Sequence, residues 1–421
     1  MFEIGLDISS NKLSAVECIK TTKGVFIKNY GIIDIEPHAI TNGELIDSIV
    51  LIDGLKDLWK FFKLKKKEVN LGLSNTKLII KEIELPVTDD KEIENALKYQ
   101  IEDYFPIAKE NLVFDYYIIS KTAGSSKIMI IGALKNMIDN YAEAVQSAGL
   151  IINSIDLNCF ALYRSANYVN NFKSLKLLES GKNICLVYFG QEVSIIEFAD
   201  ENELRYPRFM NDSVNNFAEN LGRKLKISNE ELLKIVKEFD FKKLMIKEIK
   251  KNASPIILQK ETANADSVIE NNKQEPVLSV DEEFKNIVEE KIYSDIDSPK
   301  IDFPDSAPIQ ANQKEEETAE IKNSLKVSAN HLIIEINRSI DHFFQENRNI
   351  KLEKILISGE KLINMDKYIE KDLKLPVERI DIEKLIPENI IKNNTELKNE
   401  DSSDLSSRLV IACGLALRGI K

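Results

Sequence analysis

The stretch Phe2-Glu3-Ile4-Gly5-Leu6-Asp7-Ile8-Ser9-Ser10-Asn11-Lys12-Leu13-Ser14-Ala15-Val16-Glu17-Cys18-Ile19 decides the fold. Apolar residues stand at 2, 4, 6 and 8, the period-2 pattern of a strand. Ser9-Ser10-Asn11 are turn formers, because their short polar side chains bond the local backbone. An extended pattern resumes over 13–19, Thr22 to Gly24 make a second turn, and Val25 to Ile35 a third strand. The chain thus opens on a three-strand meander with Gly-x-Asp-x-Ser-Ser at its first turn. The same layout recurs at 184–189, 193–198 and 203–209, which predicts a duplicated α/β lobe around a cleft. A tight hairpin at Asp7 to Lys12 suits phosphate. Its backbone N–H groups and hydroxyls can face anionic oxygens, and Asp7 can hold a hydrated magnesium ion. Ser-Ser-Asn is equally an ordinary hairpin turn, so both readings stay open on these residues alone.

Working outward, the pattern predicts a helix over 44–63 with Ile52, Leu55, Leu58, Trp59 and Phe62 on one face, then a strand over 69–73. A smaller unit begins near Lys77. It reads as a strand over 78–85 stopped by Pro86, then a short helix. Asp89-x-x-Glu92 resembles that helix's capping box, and Ile93, Leu97, Ile101 and Tyr104 share one side. Phe105-Pro106 ends the helix, and strands follow at 112–119 and 127–133. A helix over 135–148 stops at Gly149, followed by a strand at 151–157 and a helix to about 169. After the second meander come helices at 213–226 and 229–239. From Ser254 to Glu320 five of the eleven prolines gather, acids and amides dominate, and apolar residues thin out. This composition predicts a disordered acidic insert over about 254–320, with transient helix near 281–292. Order is expected to return with a helix over 325–347, whose buried face would carry Ala329, Leu332, Ile336, Ile340, Phe343 and Phe344. A strand at 355–357, a helix over 361–373 and a last apolar helix complete the pattern. In that last helix Gly414, between Ala412 and Ala416, invites close backbone approach.

At 421 residues the chain exceeds what one core usually holds, which favours two lobes. The net charge of −12 excludes a general nucleic-acid binder, which needs a basic face, and disfavours direct attachment to an anionic membrane. The basic run from Lys63 to Lys67 reads as a solvated helix end. No apolar run approaches the ~20 residues that span a bilayer. The N-terminus lacks the pattern of a signal peptide, so a cytoplasmic location is expected. Cys18, Cys159, Cys185 and Cys413 stand apart in apolar stretches and read as small buried thiols; His38, His331 and His342 form no ligand spacing. Walker A, nucleophile-elbow, zinc-protease and kinase motifs are absent from the sequence.

Gly5-Leu6-Asp7-Ile8-Ser9-Ser10 followed by Ser14-Ala15-Val16-Glu17 resembles the first phosphate motif of the PilM family of type IV pilus assembly proteins. Asn42-Gly43-Glu44-Leu45-Ile46-Asp47, Glu84-Leu85-Pro86, Glu102-Asp103-Tyr104-Phe105-Pro106-Ile107 and Val113-Phe114-Asp115-Tyr116 resemble later family segments. So do Ala148-Gly149-Leu150 with Asp156, Glu335-Ile336-Asn337-Arg338, Leu356-Ile357-Ser358-Gly359 and Ala412-Cys413-Gly414-Leu415. The resemblance implies an actin-like, FtsA-like two-lobed α/β fold of ribonuclease-H-like repeats. The first lobe would span 1–170, with an inserted subdomain at about 77–134. The second would span 171–421, broken by the acidic insert. It also implies a scaffold at the inner face of the membrane, holding the cytoplasmic tail of an inner-membrane PilN-like protein. Through that partner it would reach a PilO-like protein and the pilus motor ATPases. Tyr104, Phe105 and Pro106 are the expected partner-binding residues.

The resemblance further implies ATP and magnesium between the lobes, held by Asp7 (through water to the metal), Ser9, Ser10, Asn11, Lys12, Gly190, Gln191, Gly359 and Glu360. Four departures weaken that site. The second phosphate turn reads Tyr188-Phe189-Gly190 where the family has Asp-x-Gly. Met210-Asn211-Asp212 replaces a Gly-Gly pair. The Ala-Glu-x-x-Lys segment becomes Leu232-Leu233-Lys234-Ile235-Val236, unless Lys237 substitutes by a one-residue shift. A second Gly-Gly pair becomes Gly359-Glu360. A degenerate cleft with weak or no nucleotide binding and no catalytic residue is therefore expected, with an actin-like ATPase or a filament former as the alternatives.

Overall fold

The computed structural model describes residues 2–173, 178, 181–245, 309–347, 350–382, 385–387 and 402–420. One compact unit comprises 1–246 and 319–421, and a second comprises 247–318. The expected acidic insert falls largely on 246–308, outside the described residues.

The first sheet is buried on both faces, with the consecutive residues 3–8, 12–18 and 69–73 of three of its strands inside. β1 (Phe2–Ser9), β2 (Lys12–Thr21) and β3 (Gly24–Asp34) pair antiparallel, with Ser9 opposite Lys12 at the first turn. β4 (Ile40–Thr41) and β5 (Glu44–Leu45) form a two-strand ladder. This ladder uses the first residues of the expected 44–63 helix, so α1 (Ser48–Phe61) starts later, where Asp47 accepts from the N–H groups of Ile49 and Val50. α1 buries Leu51, Leu55 and Leu58. β6 (Glu68–Leu73) joins β1 in parallel.

The inserted subdomain follows as β7 (Ile79–Leu85), α2 (Asp90–Tyr104), β8 (Leu112–Lys121) and β9 (Ser126–Leu134). Asp89 caps α2, whose Ile93, Leu97 and Ile101 pack against one face of a sheet ordered β7-β9-β8. Phe105 belongs to this small core. It is 3 % exposed, and its ring packs over Gly132. The expected aromatic anchor is therefore a core residue, because a subdomain this small needs that ring to close its interior. Tyr104 is partly buried and Pro106 exposed. α3 (Lys135–Ser147) and β10 (Ile151–Leu157) return to the first lobe, completing the sheet order β10-β6-β1-β2-β3.

α4 (Asn158–Lys173) leads to the second sheet. β11 (Asn183–Phe189), β12 (Ser194–Ala199) and β13 (Leu204–Met210) repeat the antiparallel meander, followed by α5 (Val214–Gly222) and α6 (Asn229–Glu238). α7 (Ile309–Glu346) starts well before residue 325, inside the span expected to be disordered. Its Gln-, Glu-, Ala- and Lys-rich start has high helix propensity despite its low apolar content. Farther along, Leu325, Ala329, Leu332, Ile336 and Phe343 are buried, and Phe343 stacks on Phe198 at 4.3 Å. β14 (Leu352–Gly359), α8 (Met365–Leu373) and β15 (Val377–Arg379) then complete the order β13-β12-β11-β14-β15. In both lobes the meander's first strand pairs in parallel with the fourth strand, and the fourth with the fifth. The duplication seen in the hydrophobic pattern is thus a duplication of topology.

α9 (Ser402–Leu417) lies on β1, β2 and α4. A Cβ on Gly414 would stand 1.8 Å from the Ala161 carbonyl oxygen, so the close approach at this glycine is real. All four cysteines are free and buried. Among the described residues no helix is long and apolar enough to cross a membrane, and no group of three or more His, Cys, Asp or Glu could hold a metal ion.

Candidate functional site: a filled cleft and an open groove

Two hairpins face each other across the lobes. In the first, Asp7 is buried at the end of β1 and accepts a hydrogen bond from Asn158 Nδ2 at 3.1 Å. Burial pushes its carboxyl up to about 6, against the opposing pull of Asn158 and Lys12. Ser9 Oγ donates to the Lys12 carbonyl at 3.1 Å, closing the turn. In the second, the Gly190 N–H donates to Ser194 Oγ, and Ser194 Oγ donates to the Asp212 carbonyl at 2.6 Å. Gln191 Nε2 donates to Asn215 Oδ1 at 2.5 Å. The Val214 and Asn215 N–H groups donate to the Gly190 and Gln191 carbonyls, tying this turn to the start of α5.

Glu360 enters the cleft from the turn after β14. Gly359 makes that turn possible: its φ is +91°, and a Cβ there would stand 2.1 Å from the Phe189 carbonyl oxygen. The Glu360 N–H donates to the same carbonyl at 2.7 Å. Its carboxylate receives Lys12 Nζ from the first lobe at 2.5 Å and Lys237 Nζ from α6 at 2.9 Å. Burial would raise the carboxyl of Glu360, but Lys12 and Lys237 outweigh it and hold it at about 2. Tyr188 stands beside both Asp7 and Glu360. Burial and these two carboxylates keep its phenol protonated well above the ordinary range.

Of the expected nucleotide residues, Asp7, Ser9, Ser10, Gly190, Gln191 and Glu360 line one cavity, of about 40 Å³. Lys12, Asn11 and Gly359 do not line it. Lys12 is turned onto Glu360. Ser74, Asn158, Tyr188 and Glu192 are among the other residues of its walls. Small-molecule pockets run about 300–1,000 Å³, whereas one water takes about 30 Å³ of liquid. Ser10 Oγ, Ser74 Oγ, Asn158 Oδ1 and Gln191 Oε1 are buried with no protein partner, so the space suits a bound water. Across the same cleft, Glu192 Oε2 accepts from the Asn42 N–H at 2.5 Å.

A second feature has the opposite character. The inserted sheet carries α2 on one face, which takes Phe114, Tyr116, Ile128 and Ile130 into the small core. The alternate residues Val113, Tyr117, Met129 and Ile131 therefore face the other way. They line a groove of about 580 Å³ together with Ile155, Leu157 and Phe160 of the first lobe. Val113 is 39 % and Tyr117 52 % exposed. β8 and β10, which both contribute residues, are edge strands of their sheets. At the groove's polar part Asp156 accepts from Arg164 Nη1 at 2.9 Å and pairs with Arg418 Nη1 at 3.0 Å, a cluster with one surplus positive charge. Tyr104, Phe105 and Pro106 do not line this groove. The period-2 alternation of β8 marked its two faces in the sequence, but not which of them α2 would cover.

A sequence profile of the family described as type IV pilus assembly protein PilM matches residues 5–247, more than half of the 421-residue chain. A solved PilM-PilN type IV pilus biogenesis complex is similar with a TM-score of 0.70 at 16% identity, over 100% of this chain and 98% of that one. The ethanolamine utilization protein EutJ from Carboxydothermus hydrogenoformans is similar at 10% identity over 99% and 89% of the two chains, with a TM-score of 0.48. For MreB 5 of Spiroplasma citri bound to AMPPNP the figures are 11%, 94%, 96% and 0.43. With two lobes of one repeated topology, an inserted subdomain and a profile match that runs through the first lobe and into the second, this chain belongs to the PilM family of type IV pilus assembly proteins.

Proposed function

We propose that the chain is a cytoplasmic scaffold of type IV pilus assembly that holds the cytoplasmic tail of an inner-membrane PilN-like protein in the groove beside the inserted subdomain. The open groove carries this reading, with Val113 and Tyr117 exposed on a sheet face and two edge strands beside them. An extended peptide can add to such an edge through main-chain hydrogen bonds while its side chains enter alternate pockets. The described complex of a PilM with a PilN supports this class of partner. Attachment to the inner face of the membrane then comes through the partner, and the PilO-like protein and the motor ATPases are reached indirectly.

In this reading the interlobe cleft is degenerate, with weak or absent ATP and magnesium binding and no catalytic role. Its support is the 40 Å³ cavity and the position of Tyr188 and Glu360 within it. Titrating the whole chain with a synthetic tail peptide tests the scaffold. Tyr117→Ala should weaken binding about ten-fold, a loss of about 1.4 kcal/mol, with the melting temperature unchanged. Full affinity in a folded Tyr117→Ala chain would remove the groove from the reading. Equilibrium dialysis with labelled ATP and magnesium tests the cleft. Saturable micromolar binding by the unmodified chain would replace the degenerate cleft with the ATPase alternative.

A further inference from the structure

We propose that Glu360 is a built-in anion that occupies the Lys12–Lys237 subsite and latches the two lobes together, so that the cleft closes without a nucleotide. The inference rests on the degenerate-cleft reading above and says what stands in the ligand's place. A two-lobed fold closes around a polyanion when cationic and N–H donors from both lobes converge on it. Here the convergence is complete within the chain. Lys12 comes from β2 of the first lobe and Lys237 from α6 of the second, and they meet on the two oxygens of one carboxylate at 2.5 and 2.9 Å. The side chain of Lys12 is only 10% exposed and that of Glu360 only 11%. An ammonium buried so far needs a counter-charge, and leaving it alone costs more than the pair itself contributes. The backbone holds the carboxylate in place: Gly359 turns at positive φ, and the Glu360 N–H is tied to Phe189. Tyr188 and Asp7 face Glu360 from β11 and β1, so no further anion is accommodated beside it without displacing it.

The latch makes a double prediction. Taking the carboxylate away should loosen the lobes and expose two cations that a phosphate-class anion can use. The whole chain with Glu360→Gln is the main variant, and inorganic pyrophosphate the probe. Amide exchange at residues 5–12 and 188–194 should speed up about ten-fold in Glu360→Gln, and millimolar pyrophosphate should restore the protection. The unmodified chain should show neither the fast exchange nor a response to pyrophosphate. Lys237→Gln, whose side chain is 38% exposed and peripheral to the core, guards against a folding defect. It should give an intermediate loss of protection and no gain in pyrophosphate binding. Unchanged exchange in both variants, or equal pyrophosphate binding by Glu360→Gln and the unmodified chain, would overturn the latch. Dialysis of the unmodified chain against ATP reports on the degenerate cleft separately. Tight ATP binding there would sink that reading, whereas a silent cleft with unchanged exchange in the variants would sink the latch alone.

Discussion

Asp7→Asn should stabilise the protein at neutral pH. Asp7 sits buried at the cleft with its carboxyl raised from 3.8 to about 6. The folded state therefore holds the proton more tightly than the unfolded chain. Above about pH 6 both states are ionised, and the full cost of burying the charge is present. As pH falls from about 6 to 3.8 the folded state is protonated first, and the cost disappears. A gap of about two pH units corresponds to about 3 kcal/mol, at about 1.4 kcal/mol per unit. Asparagine keeps the size and removes the charge, and its amide can donate to Asn158 Oδ1, which now has no partner. Thermal melts at pH 7.5 and 4.5 should show the variant about 6 °C more stable at the higher pH, at about 2 °C per kcal/mol. At pH 4.5 the linkage relation leaves about a third of that gain. A variant less stable than the wild type at pH 7.5 would refute the reasoning. It would mean that the ionised carboxylate is compensated there, as by a bound cation.

Three further outcomes follow from the packing. Phe105→Ala should lower stability by about 3–5 kcal/mol, read as a lower melting temperature, because a nearly fully buried ring leaves a cavity in the smallest core. Gly414→Ala should cost about 1–3 kcal/mol in the same assay, since the new methyl group meets the Ala161 carbonyl oxygen and one helix must shift. Tyr188→Asp combined with Glu360→Gly should bind magnesium-ATP at least about ten-fold more tightly than the unmodified chain in dialysis. Equal affinity would show that the cleft lacks more than these two groups.

The parts of the fold legible in the sequence are those set by neighbours along the chain. The first meander shows in the period-2 alternation of its opening strand and in its turn residues, the second in the repeat of that layout, and the last helix in its apolar face and in Gly414. The site is different in kind. Lys12, Lys237 and Glu360 are far apart in sequence and meet only after two lobes have closed, so no local pattern announces their pairing. The one usable signal was the mismatch itself, since a charged Glu360 beside an unfavourable Tyr188 requires a partner somewhere. Phe105 illustrates the converse failure. An aromatic residue before a proline reads alike as an anchor or as a core ring, and only the size of the subdomain's interior decides it. The start of α7 was hidden for a third reason. Its polar sequence has helix propensity but little to bury, and pattern reading weighs burial more heavily.

The groove and the cleft share one junction in the chain. β10 and α4 meet at Asp156-Leu157-Asn158. Asp156 lies in the groove, bound to Arg164 and Arg418, while Asn158, two residues on, donates to Asp7 in the cleft. Arg418 follows the end of α9, which itself packs against β1 at Gly5. A peptide that draws Arg418 or Arg164 away from Asp156 therefore acts on a junction whose next polar residue holds the first hairpin. Coupling between two such sites is reciprocal, so whatever a tail does to the cleft, the cleft does to the tail by the same factor. Measuring tail affinity in Glu360→Gln thus reads that factor directly. A change of about five-fold or more, the lower end of ordinary allosteric coupling, would mean that the latch and the scaffold work as one device. An unchanged affinity would mean that the β10–α4 junction is rigid enough to insulate one from the other.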